Sequence, residues 1–268
     1  MFDWLIKIIK KIVPNWILSP ALNIYHYLVS LMYFGNNFIC PICRGHFRRF
    51  LPIGLDIPVI KKYNIVPGGF RKNAKCPRCR STDRERLFYL YLIKYQPNIF
   101  EENINLLHIA PEIKLRKVFN SHSNINYING DLYNPQADEV IDITSINYDD
   151  NVFDIIICSH VLEHIQKDEL AMSELFRVLK PGGLAIIQVP ISSVLVETFE
   201  DSSIIEPEDR EKYFGQKDHV RIYGTDYIKR LKKSGFKVTA YDFTSELNPF
   251  DVQKYALLKD EKLYLCSK

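Results

Sequence analysis

The stretch FDIIICSHVLEHI, Phe153 to Ile165, followed by ELFRVLKPGGLAIIQVP, Glu174 to Pro190, decides how the chain is read. A run of apolar residues ends in Ser159-His160, an amphipathic helical stretch follows, and a Pro-Gly-Gly turn leads into a second apolar run. Working outward from Leu106 to Pro190, strand, turn and helix repeat in this way, the pattern of an α/β domain on a parallel sheet. Such sheets bind ligands at the carboxyl ends of their strands. The residues expected there are His108 to Glu112, Asp131, Asp142 and Ser159-His160.

Strands are expected at Ile104–Ile109, Asn126–Asn129, Val140–Ile143, Phe153–Ser159, Leu184–Val189, Lys237–Phe243 and Leu263–Cys266. Cys158 and Cys266 fall inside two of them and read as packing residues. Thr82-x-x-Glu85 reads as a capping box that opens a helix from Asp83 to about Lys94. Nearer the start, Leu5, Ile8, Ile9 and Ile12 share one helical face, with Asp3, Lys7, Lys10 and Lys11 turned away, and Pro14 stops the helix. Ser19 and Pro20 then read as the N-cap and first position of a second helix reaching about Met32. Residues 1–34 suit either contact with a membrane surface, lysines toward anionic headgroups, or packing against the protein or a second subunit. Pro20, Asn23, His26 and Ser30 interrupt the apolar run, which argues against spanning. No small-residue cleavage site follows, so the expected location is cytoplasmic, at the membrane periphery if the leader seats there.

The net charge of +3 hides a division. Residues 1–100 carry 16 Lys and Arg against 4 Asp and Glu, and residues 101–268 carry 19 against 28. A basic front half suits phosphate, nucleic acid or an anionic membrane, or is simply solvated. Four of the six cysteines stand in two C-x-x-C pairs, Cys40/Cys43 and Cys76/Cys79. With Pro after the first Cys of each, they resemble the knuckles of a zinc ribbon, four thiolates aimed at one ion. The alternative is two disulfides. The boundaries expected are 1–36 for the helical leader, 37–97 for the ribbon and connecting helix, and 98–268 for the catalytic domain.

DITSINYDDNVFDIIICSHVLEHI (142–165) and RVLKPGG (177–183) together resemble the central motifs of class I methyltransferases dependent on S-adenosylmethionine (SAM), type 11-like. The resemblance covers about residues 104 to 190 and implies a Rossmann-like, seven-stranded sheet. It also implies SAM as cofactor, with Asp131 on the ribose hydroxyls, Asp142 and Ile143 on the adenine, and Ser159 and His160 near the methyl group. The first turn departs from the family: LLHIAPE puts His108 at the usual acidic position, and Ala110 and Glu112 where glycines stand. Ala110, Pro111 and Glu112 would carry the amino-acid tail, with His108 and Glu112 replacing what glycine exposes. A plainer reading makes Asp131 and Asp142 turn or cap residues.

His160-x-x-Glu163-His164 also fits a zinc-protease pattern, which is set aside because it needs a long helix bearing both histidines. The G-x-G-x-x-G fingerprint of dehydrogenases is absent. In the family the segment after the fifth strand shapes the acceptor pocket, which points to Asp218, Arg221 and Tyr223 for the substrate and to His219 or His160 as general base. The expected activity is methyl transfer to a small-molecule or glycan acceptor, a surface-glycan sugar or a lipid-linked glycan first. An RNA methyltransferase and a non-catalytic zinc-ribbon scaffold are the alternatives.

Overall fold

The computed structural model describes residues 15–54 and 56–268. The expected helix at residues 2–13 lies outside the described residues. Helix α1, Asn15–Met32, is already formed where the described residues begin, so Pro20 sits inside it and Ser19 is not its N-cap. A short hairpin, β1 (Phe34–Ile39) with β2 (His46–Phe47), follows. Then come β3 (Leu51–Ile53), α2 (Pro58–Lys62), β4 (Ile65–Val66) and β5 (Arg71–Lys75), with β3 and β5 antiparallel. Each C-x-x-C turn lies at the end of one hairpin.

Helix α3, Asp83–Tyr95, begins with the expected capping box: Glu85 N donates to Thr82 Oγ1 at 3.4 Å and Thr82 N to Glu85 Oε2 at 2.7 Å. Its apolar side holds Leu87, Phe88, Tyr91 and Leu92, all buried against Leu106, Ile125 and Ile157 of the sheet. Burying side chains of this size contributes about 1.5–3 kcal/mol each. The helix expected to link two domains is therefore a layer of the second one.

The central sheet comprises β6 (Ile104–Ile109), β7 (Ile125–Gly130), β8 (Phe153–Ser159), β9 (Leu179–Gln188), β13 (Lys237–Tyr241) and β14 (Leu263–Ser267). Its order is β13-β14-β9-β8-β6-β7, with β9, β8, β6 and β7 parallel and β14 antiparallel to both of its neighbours, β9 and β13. The strand reversal between β8 and β6 opens a crevice at their carboxyl ends. Helix α4 (Ile113–Asn120) lies on the α3 side, through Leu115 and Phe119. On the other face α5 (Asp168–Val178) packs through Met172 and Leu175.

Six strands, not seven, make this sheet. Where Val140–Ile143 was expected to form a strand, one parallel bridge joins Gly130 to Glu139. Ile141 and Ile143 are buried while Val140 and Asp142 face solvent, so the alternation is real. It reflects burial alone, because after Glu139 the backbone leaves the edge of β7 and no ladder forms.

Beyond β9 the chain runs through β10 (Ile191–Ser192), β11 (Phe199–Glu200), α6 (Pro207–Phe214), β12 (Arg221–Ile222) and α7 (Tyr227–Lys233). Short helix α8 (Pro249–Lys254) precedes β14. β10 pairs antiparallel with β4, joining the front module to the loop after β9. Arg86 makes a second seam. Its buried guanidinium donates to the carbonyls of Tyr255 and Ala256 at 2.8 Å and to those of Ala74 and Ser81 at 3.2 and 2.9 Å. Removing Arg86 would take a donor from four carbonyls at once.

Candidate active site at the strand ends

Ala110 follows β6 with φ +48, the left-handed region that glycine usually fills, and its N–H donates to Gly130 O at 2.8 Å. The turn thus keeps a glycine-like shape without glycine, at about 1 kcal/mol of strain. His108 is fully buried and fully used: Nδ1 meets Tyr127 Oη at 3.0 Å and Nε2 meets Glu112 Oε2 at 2.9 Å. It orients Glu112 and offers no free nitrogen to a ligand. Burial alone would raise the Glu112 carboxyl, but the His108 bond and the Arg84 charge hold it at about 2.

Glu112 Oε1 and Arg84 Nε are buried, 3.5 Å apart, and neither has a hydrogen-bond partner. A free carboxylate oxygen beside a free guanidinium nitrogen complements an ammonium and a carboxylate on one carbon, which is what an amino-acid tail presents. Sequence reasoning reached Glu112 but not Arg84, whose place on α3 gave no signal of it. The residues at this turn therefore fit the SAM tail.

Asp131 and Asp142 lie at turns farther along the edge. Asp131 Oδ1 accepts from the N–H groups of Tyr133 and Asn134, both at 2.8 Å. Asp142 Oδ1 accepts from Thr144 N at 2.8 Å and Oγ1 at 2.7 Å, which lowers its pKa. Each carboxylate caps a turn, and neither lines the cavity beside His160. Ile143 is buried in the core below them.

The cavity lies at the other side of the crevice and holds about 660 Å³. His160, Glu163, Pro190 and His219 form its floor, Gly54, Pro67, Gly68, Gly69 and Arg71 come from the front module, and Arg84 comes from α3. Gly54, at φ +88, lies so close to Gly69 that an added Cβ would stand 1.9 Å from its carbonyl oxygen. Only glycine lets these two loops meet.

His160 follows β8 at φ +56, another left-handed non-glycine position, and its N–H donates to Gln188 O at 2.8 Å. Its Nδ1 is 3.1 Å from Glu163 Oε1. Burial pushes the imidazole below its ordinary pKa, aided by Arg84 and opposed by Glu163. Burial would raise Glu163, yet the three histidines around it hold the carboxyl below the usual range. Ser159, behind them, is buried with an unpartnered Oγ.

His219 is 5% exposed, its ring 4.7 Å from that of His164, and burial drives it down to about 4. Both histidines expected as general base line the cavity, and each has a buried Nε2 without a hydrogen-bond partner. Asp218 is exposed at the cavity rim. Arg221 lines the cavity but is committed elsewhere: Nη1 donates to Leu162 O and Ile165 O, Nη2 to Gln166 O, and Nε to Glu200. Tyr223 corrects the expectation of an acceptor contact. It is fully buried in the core, its Oη donating to Asp168 Oδ2 at 2.6 Å. The protease pattern fails as anticipated, since Leu162–His164 is a single 3₁₀ turn.

In the front module, Cys40 and Cys79 sulfurs are 3.6 Å apart, Cys43 and Cys76 sulfurs 3.7 Å, and all four Sγ atoms lie within 4.8 Å of one another. Zinc at about 2.3 Å from each thiolate of a tetrahedron sets sulfurs about 3.8 Å apart. Both knuckles have one backbone form: Arg44 N donates to Cys40 O, Arg80 N to Cys76 O, and Arg44 and Arg80 both have positive φ. Cys158 and Cys266 are buried in β8 and β14, as expected.

Residues 110–187 match the family described as Methyltransferase domain. No curated protein matches the chain significantly in sequence. Among solved structures it is similar to a SAM-dependent methyltransferase from Archaeoglobus fulgidus, at 14% identity and TM-score 0.43, covering 70% of this chain and 96% of that one. Another, from Mesorhizobium loti, is 12% identical with TM-score 0.42, covering 67% and 95%. The family match lies across the parallel strands and the crevice they open, so residues 110–187 of the chain are similar to a methyltransferase domain.

Proposed function

We propose that the enzyme methylates a hydroxyl of a small, polar acceptor, with a sugar of a surface or lipid-linked glycan as the first candidate, and that Cys40, Cys43, Cys76 and Cys79 hold a structural zinc. The carrying observation is the cavity of about 660 Å³ next to the crevice, lined by His160, Glu163 and His219 and roofed by the front module. Pockets of that volume suit small molecules, with a few convergent polar groups fixing orientation. SAM, when bound, supplies an electrophilic methyl group on a cationic sulfur.

The chain's own part is positioning. Glu112 and Arg84 would take the ammonium and carboxylate of the tail. Asp131, with Oδ2 left over after its turn, would accept from the ribose hydroxyls, and the exposed Asp142 would sit beside the base. His160, whose Nε2 is buried and unpartnered, would accept the proton of the acceptor hydroxyl. Zinc would fix the two hairpins from which the roof of the cavity extends.

Two measurements test this. Calorimetry should find SAM binding weakened about tenfold or more by Asp131→Ala, through lost hydrogen bonds to a charged group. Incubation with methyl-labelled SAM and a panel of nucleotide sugars, polyprenyl-linked glycans and RNA should place the label in a glycan fraction. Label in RNA alone would refute the proposed acceptor.

A further inference from the structure

One nitrogen or oxygen each from Glu163, His164 and His219 lie within 4.8 Å of one another. They come from two segments that the fold bolts together. Glu163 and His164 sit on the turn after β8, and His219 on the loop before β12. Val220 N donates to Glu163 O at 2.9 Å, while Arg221 donates to three carbonyls of the same turn. Arg221 is thus a positioning residue, clamping the turn against the loop.

Two of the three groups so assembled, Glu163 and His219, have side-chain atoms without a hydrogen-bond partner. Glu163 is 1% exposed, and neither carboxylate oxygen accepts a hydrogen bond; the 3.1 Å approach of His160 Nδ1 is not in hydrogen-bonding geometry. His219 Nε2 is likewise buried without a partner. A carboxylate removed from water without donors costs several kcal/mol unless a cation compensates it. His164 has the tautomer a ligand needs: its Nδ1 is 3.3 Å from the Asp218 carbonyl, which can only accept, so Nδ1 carries the hydrogen and Nε2 the lone pair. Bonding of the second ring nitrogen in this way is usual for ligating histidines.

We propose that Glu163, His164 and His219 bind one divalent transition-metal ion, of the Mn²⁺ or Fe²⁺ kind, whose open positions receive the acceptor hydroxyl in the cavity. Two imidazoles and a carboxylate on one side suit such ions and leave coordination sites free. The softer, four-thiolate site is a different environment and would keep zinc. The inference rests on the reading of a hydroxylated acceptor. Bound to the ion, that hydroxyl becomes more acidic. Its proton passes to His160 Nε2, its oxygen forms the bond to the methyl carbon, and the carbon–sulfur bond breaks with both electrons kept by sulfur.

The test titrates the full-length, zinc-loaded protein with MnCl₂, following free Mn²⁺ by electron paramagnetic resonance, with SAM calorimetry in parallel. One saturable Mn²⁺ per chain is expected. Glu163→Gln and His219→Gln should each weaken it by roughly tenfold or more and leave SAM affinity within about twofold. Should either variant lose its thermal transition, His164→Ala, at a half-buried position, is expected to show the same loss of Mn²⁺. Protein that binds SAM but no Mn²⁺, or variants that bind Mn²⁺ like the wild type, overturn the metal site and leave the methyltransferase reading standing. Protein that binds Mn²⁺ but not SAM overturns that reading instead.

Discussion

Glu261→Gln should stabilise the protein at neutral pH and erase part of its pH dependence. Glu261 is 2% exposed, and neither of its carboxylate oxygens has a hydrogen-bond partner. Burial, reinforced by Asp83 and only partly offset by Arg84 and Arg71, pushes its pKa up to about 8 from an ordinary 4.5. The folded state therefore holds a proton that the unfolded chain has already released across the window from 4.5 to 8. In that window the folded state binds more protons, so stability falls as pH rises. The slope is about 1.4 kcal/mol per pH unit for one group. From pH 5.5 to 7.5 the loss is about 3 kcal/mol, and across the whole window roughly 5 kcal/mol. Glutamine keeps the shape and has nothing to ionise. Urea unfolding of wild type and variant at pH 5.5, 6.5, 7.5 and 8.5 measures the difference, in which the other titrating groups cancel. The stability gap should widen in the variant's favour by about 3 kcal/mol as pH rises from 5.5 to 7.5. Parallel curves would mean that Glu261 ionises at an ordinary pKa and that its surroundings are wetter than its burial implies.

Cys76→Ser should release the zinc and destabilise the hairpins while the central sheet stays folded, because structural zinc contributes folding energy directly; metal analysis and far-ultraviolet dichroism check it, and protein purified without chelator that holds no zinc would refute the proposed centre. Ala110→Gly should leave stability unchanged or raise it by up to about 1 kcal/mol, while Ala110→Val lowers it by roughly 1–3 kcal/mol, since a β-branched residue is poorly tolerated at positive φ; equal thermal midpoints for the two variants would show that the turn is not held left-handed.

What could be read from the sequence was local. The capping box of α3 depends on residues three apart, and it appears as expected between Thr82 and Glu85. β6 and β8 match their expected limits because runs of buried apolar residues announce central parallel strands. The third strand failed because Ile141 and Ile143 alternate for burial without a partner ladder. At the site, the His160 to His164 turn stood out by its spacing, although as a pattern belonging to different chemistry. Arg221 and Tyr223 looked like acceptor contacts because polar residues in a loop usually face solvent. Their bonds run to residues 55 to 61 positions earlier, and no local pattern records that.

The charge division shows the same limit from the other side. A front half of 16 basic against 4 acidic residues suggested an anionic partner outside the molecule. Part of that charge is turned inward instead. Arg84 faces Glu112 across the seam at 3.5 Å, and Arg86 is buried among carbonyls of the carboxyl-terminal segment. Arg71, which lines the cavity, pairs with Asp83 at 2.6 Å. A charge buried at such a seam is costly unless its partners are in place, so the front module and the acidic half stabilise each other's burial. The same seam places Gly54, Gly69, Arg71 and Arg84 on the cavity opposite Glu163 and His219. The hairpins and the cavity roof thus share one seam, and on the proposed reading the four-cysteine centre supports the enclosure of the cavity.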